Sequence, residues 1–91
     1  MQDAIVSTWE KTLSRILDGR RDHNVNFKDM VGLLKKLGFV QRMGKGDHHI
    51  FHRDGAAEII NLQPLRDGKV KPYQVKQVRQ LLHRYTLHGN E

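Results

Sequence analysis

The sequence predicts an α+β domain: a three-stranded antiparallel meander with helices packed on one face. Three observations carry that expectation. Apolar residues recur at helical spacing over residues 3–18, 27–37 and 72–86. Between residues 39 and 62 the period shortens to two, as in strands. Glycine, proline and asparagine stand at the joints between these patterns, so the element order reads α-α-β-β-β-α.

In the first helix Ile5, Val6, Trp9, Leu13, Ile16 and Leu17 form one stripe, and Gly19 ends the run. The polar "RRDHNV" (20–25) reads as a linker. The second helix has Asn26 as its cap, with Asp29 near the positive helix end. Its stripe is Phe27, Met30, Val31, Leu34 and Leu37, and Gly38 lets the chain leave. "FVQRM" (39–43) is the first strand, "GKGD" (44–47) a turn and "HHIFHR" (48–53) the second strand. Asp54-Gly55 is a strong signal for a two-residue hairpin into the third strand, "AAEIINL" (56–62). Pro64 ends that strand and "RDGKVK" (66–71) is a basic loop. Pro72 suits the first turn of the last helix, whose stripe is Val75, Val78, Leu82 and Tyr85.

Ninety-one residues make one domain without room for a second core. With 37% hydrophobic and 29% charged residues the chain is globular rather than disordered. Sixteen Lys and Arg against ten Asp and Glu leave a formal charge of +6, which favours a polyanionic or acidic partner, nucleic acid being the commonest. The absence of cysteine excludes disulfides, zinc–thiolate sites and thiol catalysis. No apolar run approaches the roughly 20 residues of a membrane span, and "MQDAIVSTWEK" lacks the character of a secretion signal. A cytoplasmic protein is the expectation.

Three of the six histidines, His48, His49 and His52, fall in five residues behind a glycine-rich basic turn. A transition-metal site is not expected there. His48 and His52 would lie about 13 Å apart on a straight strand, too far for ligands that sit about 2 Å from one ion. Packing is the simple alternative. Ile50 shares a face with His48 and His52, while Phe51 shares the other with His49 and Arg53, so alternation alone leaves the buried face open. Catalysis is the third reading. Cleavage of RNA through its own 2′-OH needs a base, positive charge near the phosphate and an acid for the leaving oxygen. A histidine after "GKG" suits this, because the glycines admit a phosphate to the backbone and Lys45 supplies charge.

The run "FKDMVGLLKKLGFVQRMGKGDHHIFHRDG", followed by "IINLQP" and "KPYQVKQVRQLL", resembles the HicA family of toxin ribonucleases over about residues 26–86. Its parts are a helix ending in "LGF", a short strand, a "G-S-H-H-I-F"-like motif, a third strand leading to a proline, and a closing helix. The resemblance implies a fold similar to a double-stranded-RNA-binding domain, an α-β-β-β-α core occupying residues 26–88 here. Residues 1–25 then form an N-terminal helical extension with its linker. It also implies an mRNA interferase that cleaves mRNA without a metal or other cofactor. The family's essential histidine maps onto His48, with His49 as the adjacent alternate. The implied partners are mRNA and a HicB-type antitoxin that masks the active face. DNA is reached only through the antitoxin's own domain.

Two departures stand out. Asp47 occupies the usual serine position, where a carboxylate favours the imidazolium of His48 if the two side chains approach. The extension adds an apolar stripe, including Trp9, that must be buried on this domain or on a partner. Among the basic residues Lys45 is the first candidate for RNA contact. Arg42 lies beside the same turn, and Lys71 and Lys69 lie in the loop before the last helix. Lys35 and Lys36 suit the negative end of the second helix, and Lys76 and Arg79 read as the solvated face of the last one. The rival to an enzyme is a non-catalytic RNA-binding module of the same fold.

Overall fold

The computed structural model describes residues 7–85. Ile5 and Val6 of the predicted first stripe, the side chain of Tyr85 and the end of the 26–88 segment lie outside the described residues. Helix α1 spans Thr8–Asp18, α2 Phe27–Lys36 and α3 Pro72–Tyr85. Strands β1 (Val40–Met43), β2 (His49–His52) and β3 (Ile60–Leu62) form one antiparallel sheet in the order β1-β2-β3. The architecture is the expected α+β fold, consistent with a double-stranded-RNA-binding-like domain carrying an extra N-terminal helix.

Alternation left the buried face of the sheet open, and the structure decides it. Phe51, Ile60 and Leu62 point inward and meet Met30, Leu33 and Leu34 of α2 and Val75, Val78, Leu81 and Leu82 of α3. His48, Ile50 and His52 therefore belong to the outer face. Phe39, expected in the first strand, instead closes α2. Gly38 turns left-handed at φ +93°, its N–H meets the Lys35 carbonyl at 3.1 Å, and the Phe39 N–H meets the Leu34 carbonyl at 2.9 Å. This is a Schellman cap, and it buries the Phe39 ring as its apolar contact.

The extension packs on its own domain. Ile16 is fully buried in the common core, with Trp9, Leu13 and Leu17 packed against it, and α1 contacts both α2 and α3. Helix α1 begins at Thr8, because Ser7 is extended (φ −70°, ψ 164°) and ties back to Glu10 through its N–H and hydroxyl, both 3.1 Å from Oε1. The predicted linker is more ordered than its polarity suggests. Asp22–Asn24 form a 3₁₀ turn, and the Asp22 carboxylate takes a two-pronged ion pair from Arg79 at 2.8 and 3.0 Å. Arg79 also donates to the Ile16 carbonyl at 3.0 Å. It therefore straps α3 to the extension rather than lining a solvated face. The charge-assisted bond to Asp22, outweighing desolvation, holds the guanidinium pKa above its usual value.

The two-residue hairpin is not formed. Asp54 and Gly55 do make a turn, closed by the Ala56 N–H on the Arg53 carbonyl at 3.2 Å with Gly55 at φ +89°. Pairing, however, places Phe51 opposite Ile60, so residues 53–59 form a longer loop and β3 starts only at Ile60. Phe51 needs an apolar partner on the inner face, and Ile60 supplies it where the smaller Ala56 and Ala57 would not. Asn26 stands at the start of α2 but does not bond its backbone. Its amide instead donates to Asp29 and accepts from the Lys69 ammonium, at 3.3 and 3.0 Å. The basic loop is pinned to this corner by antiparallel bridges Asn26–Lys69 and Pro64–Val70.

Candidate functional site

The β1–β2 hairpin builds the site. The Gly44 N–H meets the His48 carbonyl at 2.8 Å and the His48 N–H meets the Lys45 carbonyl at 3.1 Å, so His48 closes the turn rather than sitting inside β2. Gly46 lies at φ +58°, a conformation glycine adopts without strain. Gly44 is needed for a different reason. A Cβ there would come within 2.9 Å of Ile50 Cδ1 and 3.4 Å of His48 Cβ, so the Ile50 side chain packs tightly beneath the turn.

The adjacent histidines face opposite ways and are held in opposite tautomers. His48 Nδ1 lies 2.9 Å from Asn61 Oδ1. A carbonyl oxygen only accepts, so Nδ1 carries the proton and Nε2 keeps its lone pair in the neutral ring. His49 points inward. Its Nδ1 lies 2.8 Å from Gln41 Nε2, which only donates, so the His49 proton sits on Nε2. The His49 ring also packs edge-on against Phe27 with centroids 4.7 Å apart. His49 thus behaves as a packed sheet residue, while His48 is half-buried with a free ring nitrogen.

Arg42, Ile50 and Asn61 are direct neighbours across the three strands on the outer face. Arg42 and Asn61 are therefore about 10 Å apart at their backbones, with Ile50 as an apolar floor between them. Lys45 is exposed in the turn, and neither Arg42 nor Lys45 makes an ion pair among the described residues. One step along the register from the His49–Leu62 pair sets Gln63 level with His48. Gln63 Oε1 accepts from Lys71 Nζ at 3.4 Å, which brings Lys71 to the same end of the sheet. Lys69 is held elsewhere by Asn26, and Asp47 makes no hydrogen bond or ion pair with His48. Among the described residues no three His, Asp or Glu side chains come together as metal ligands would. No described helix is long and apolar enough to cross a membrane.

Sequence reading missed Asn61, Gln63 and Gln74. The first two sit in "INLQP" as polar residues alternating with the buried Ile60 and Leu62. Gln74 left a subtler signal: it continues the spacing of Val78, Leu81 and Leu82, a polar residue on an apolar stripe.

Residues 27–84 match the family model described as the HicA toxin of bacterial toxin–antitoxin systems, covering every element from α2 to the last turn of α3. Comparison with curated proteins and with solved structures gave no match.

Proposed function

Because the chain belongs to the HicA toxin family, the toxins of bacterial toxin–antitoxin systems, we propose that it is a metal-independent endoribonuclease that cleaves mRNA. The single observation that carries the proposal is the His48–Asn61 hydrogen bond on an outer face flanked by uncommitted cations. With Nδ1–H donated to Asn61, Nε2 of the neutral ring takes the proton of a ribose 2′-OH. The freed oxygen attacks the adjacent phosphorus, and the bond to the 5′-oxygen breaks; that oxygen takes a proton from water and leaves as a 5′-hydroxyl, with a 2′,3′-cyclic phosphate on the other product. The protonated ring still donates Nδ1–H to Asn61, so the same tautomeric anchor serves histidine as base or as acid. Lys45 and Arg42 offset the charge that builds on the phosphate, with Lys71 beside them and Lys69 the most remote candidate. Asp47 contributes no direct bond to His48 in this arrangement.

The cognate antitoxin of this reading is a HicB-type protein seated on the outer face, where Val40 leaves an apolar side chain 56% exposed beside His52. Any contact with DNA then runs through the antitoxin. The test is cleavage of single-stranded RNA in EDTA by the wild type, His48→Ala and His49→Ala. The wild type should cleave, His48→Ala should be inactive yet folded, and His49→Ala should lose stability before activity. Full cleavage by His48→Ala would remove the assigned role. RNA that is bound in a salt-dependent complex but never cut would make the protein a binding module of the same fold.

A further inference from the structure

Gln74 is a polar side chain in the core, 5% exposed, and its burial needs a reason. Its amide bonds the backbone of the edge strand through both its nitrogen and its oxygen. Gln74 Nε2 donates to the Asn61 carbonyl at 3.2 Å, and Gln74 Oε1 accepts from the Gln63 N–H at 3.3 Å. In a strand the carbonyl of one residue and the N–H of the residue two further on project to the same side. The Gln74 amide therefore bonds this edge as the N–H and C=O of one residue in a parallel fourth strand would, on the side that β2 does not cover.

The two residues held in this way are the ones whose side chains reach the candidate site. Asn61 receives the His48 Nδ1–H, and Gln63 receives the Lys71 ammonium. This one amide bonds the backbone of both. We propose that Gln74 is a positioning residue. It fixes the end of β3 so that Asn61 sets the His48 tautomer while Gln63 places Lys71 alongside, joining proton transfer and phosphate binding through one buried side chain. This inference rests on the ribonuclease reading for its catalytic consequence, but its structural part does not need RNA.

The experiment is two-bond ¹H–¹⁵N NMR of the full chain above pH 8, where neutral imidazole predominates. In the wild type His48 should carry its proton on Nδ1, the minority form of free histidine, and His49 on Nε2 as the internal reference. Gln74→Met keeps length and apolar packing but removes both hydrogen bonds. It should return His48 to the Nε2–H form, leave His49 unchanged, and slow RNA cleavage roughly 100-fold, as expected for a displacement of about 1 Å in a reacting group. Gln74→Glu is the second variant, because its carboxylate accepts from Gln63 but cannot donate to Asn61. It should lose the His48 tautomer yet keep the salt dependence of RNA binding that Lys71 contributes, whereas Gln74→Met should flatten it. An Nε2–H tautomer for His48 in the wild type overturns the proposal whatever the variants do. So does an unchanged His48 tautomer in either folded variant. Failure of the wild type to cut RNA would sink the ribonuclease reading alone, since the tautomer measurement contains no substrate.

Discussion

Replacing Asp22 with alanine should destabilise the fold by about 2–3 kcal/mol, because it strips Arg79 of two charge-assisted hydrogen bonds, each worth about 1.5–3 kcal/mol net. The full sum is not expected. Arg79 keeps its bond to the Ile16 carbonyl, and with side-chain exposures of 17% and 21% the pair stands close enough to water for partial rehydration. Breaking a fully buried pair costs about 3–5 kcal/mol, which sets the ceiling. For a domain of this size the melting temperature should fall by about 10–20 °C. The assay is urea denaturation of the wild type, Asp22→Ala, Arg79→Ala and the double variant, read as a thermodynamic cycle. The Arg20–Asp18 pair is the control. Arg20 lowers the Asp18 carboxyl pKa through a hydrogen bond, so any contribution exists above the ordinary carboxylate pKa and vanishes as pH falls through the lowered one. Arg20 is 82% exposed, however, and Asp18→Ala should match the wild type at pH 7. An Asp22–Arg79 coupling below about 0.5 kcal/mol would refute the claim that this strap fastens the extension to α3.

Two further outcomes follow from the site. Phe27→Ala should cost about 2–3 kcal/mol, since it removes a half-buried ring and its edge-on contact with His49. Cleavage below the unfolding transition should persist, and a folded but inactive Phe27→Ala protein would argue that His49 does more than pack. Lys45→Ala should weaken RNA binding and reduce the slope of log K against log salt by about 0.7 for a single-stranded ligand. An unchanged slope from binding titrations would remove Lys45 from the phosphate contacts.

The sequence by itself determined the element order, the course of α2 and α3 and the strand-turn-strand around "GKGDHH", because these rest on local periodicity and turn chemistry, while the family was read from its run of motifs. The placement of His48 and Lys45 on one hairpin was legible for the same reason. Only the tertiary structure decided which face of β2 is buried. Phe51 and Ile50 are both apolar, and the choice went to the ring that meets α2 and α3. That choice sent His48 outward and His49 inward, a distinction that adjacency in the chain cannot express. Asn61, Gln63 and Gln74 became visible only on folding, since their meaning lies in hydrogen bonds to residues between 8 and 13 positions away. Arg79 likewise reads as one more surface cation until folding closes the separation of 57 residues to Asp22. Side-chain polarity announces that a partner is required. Which partner is supplied depends on the packing of helices onto a sheet, and no local pattern encodes that pairing.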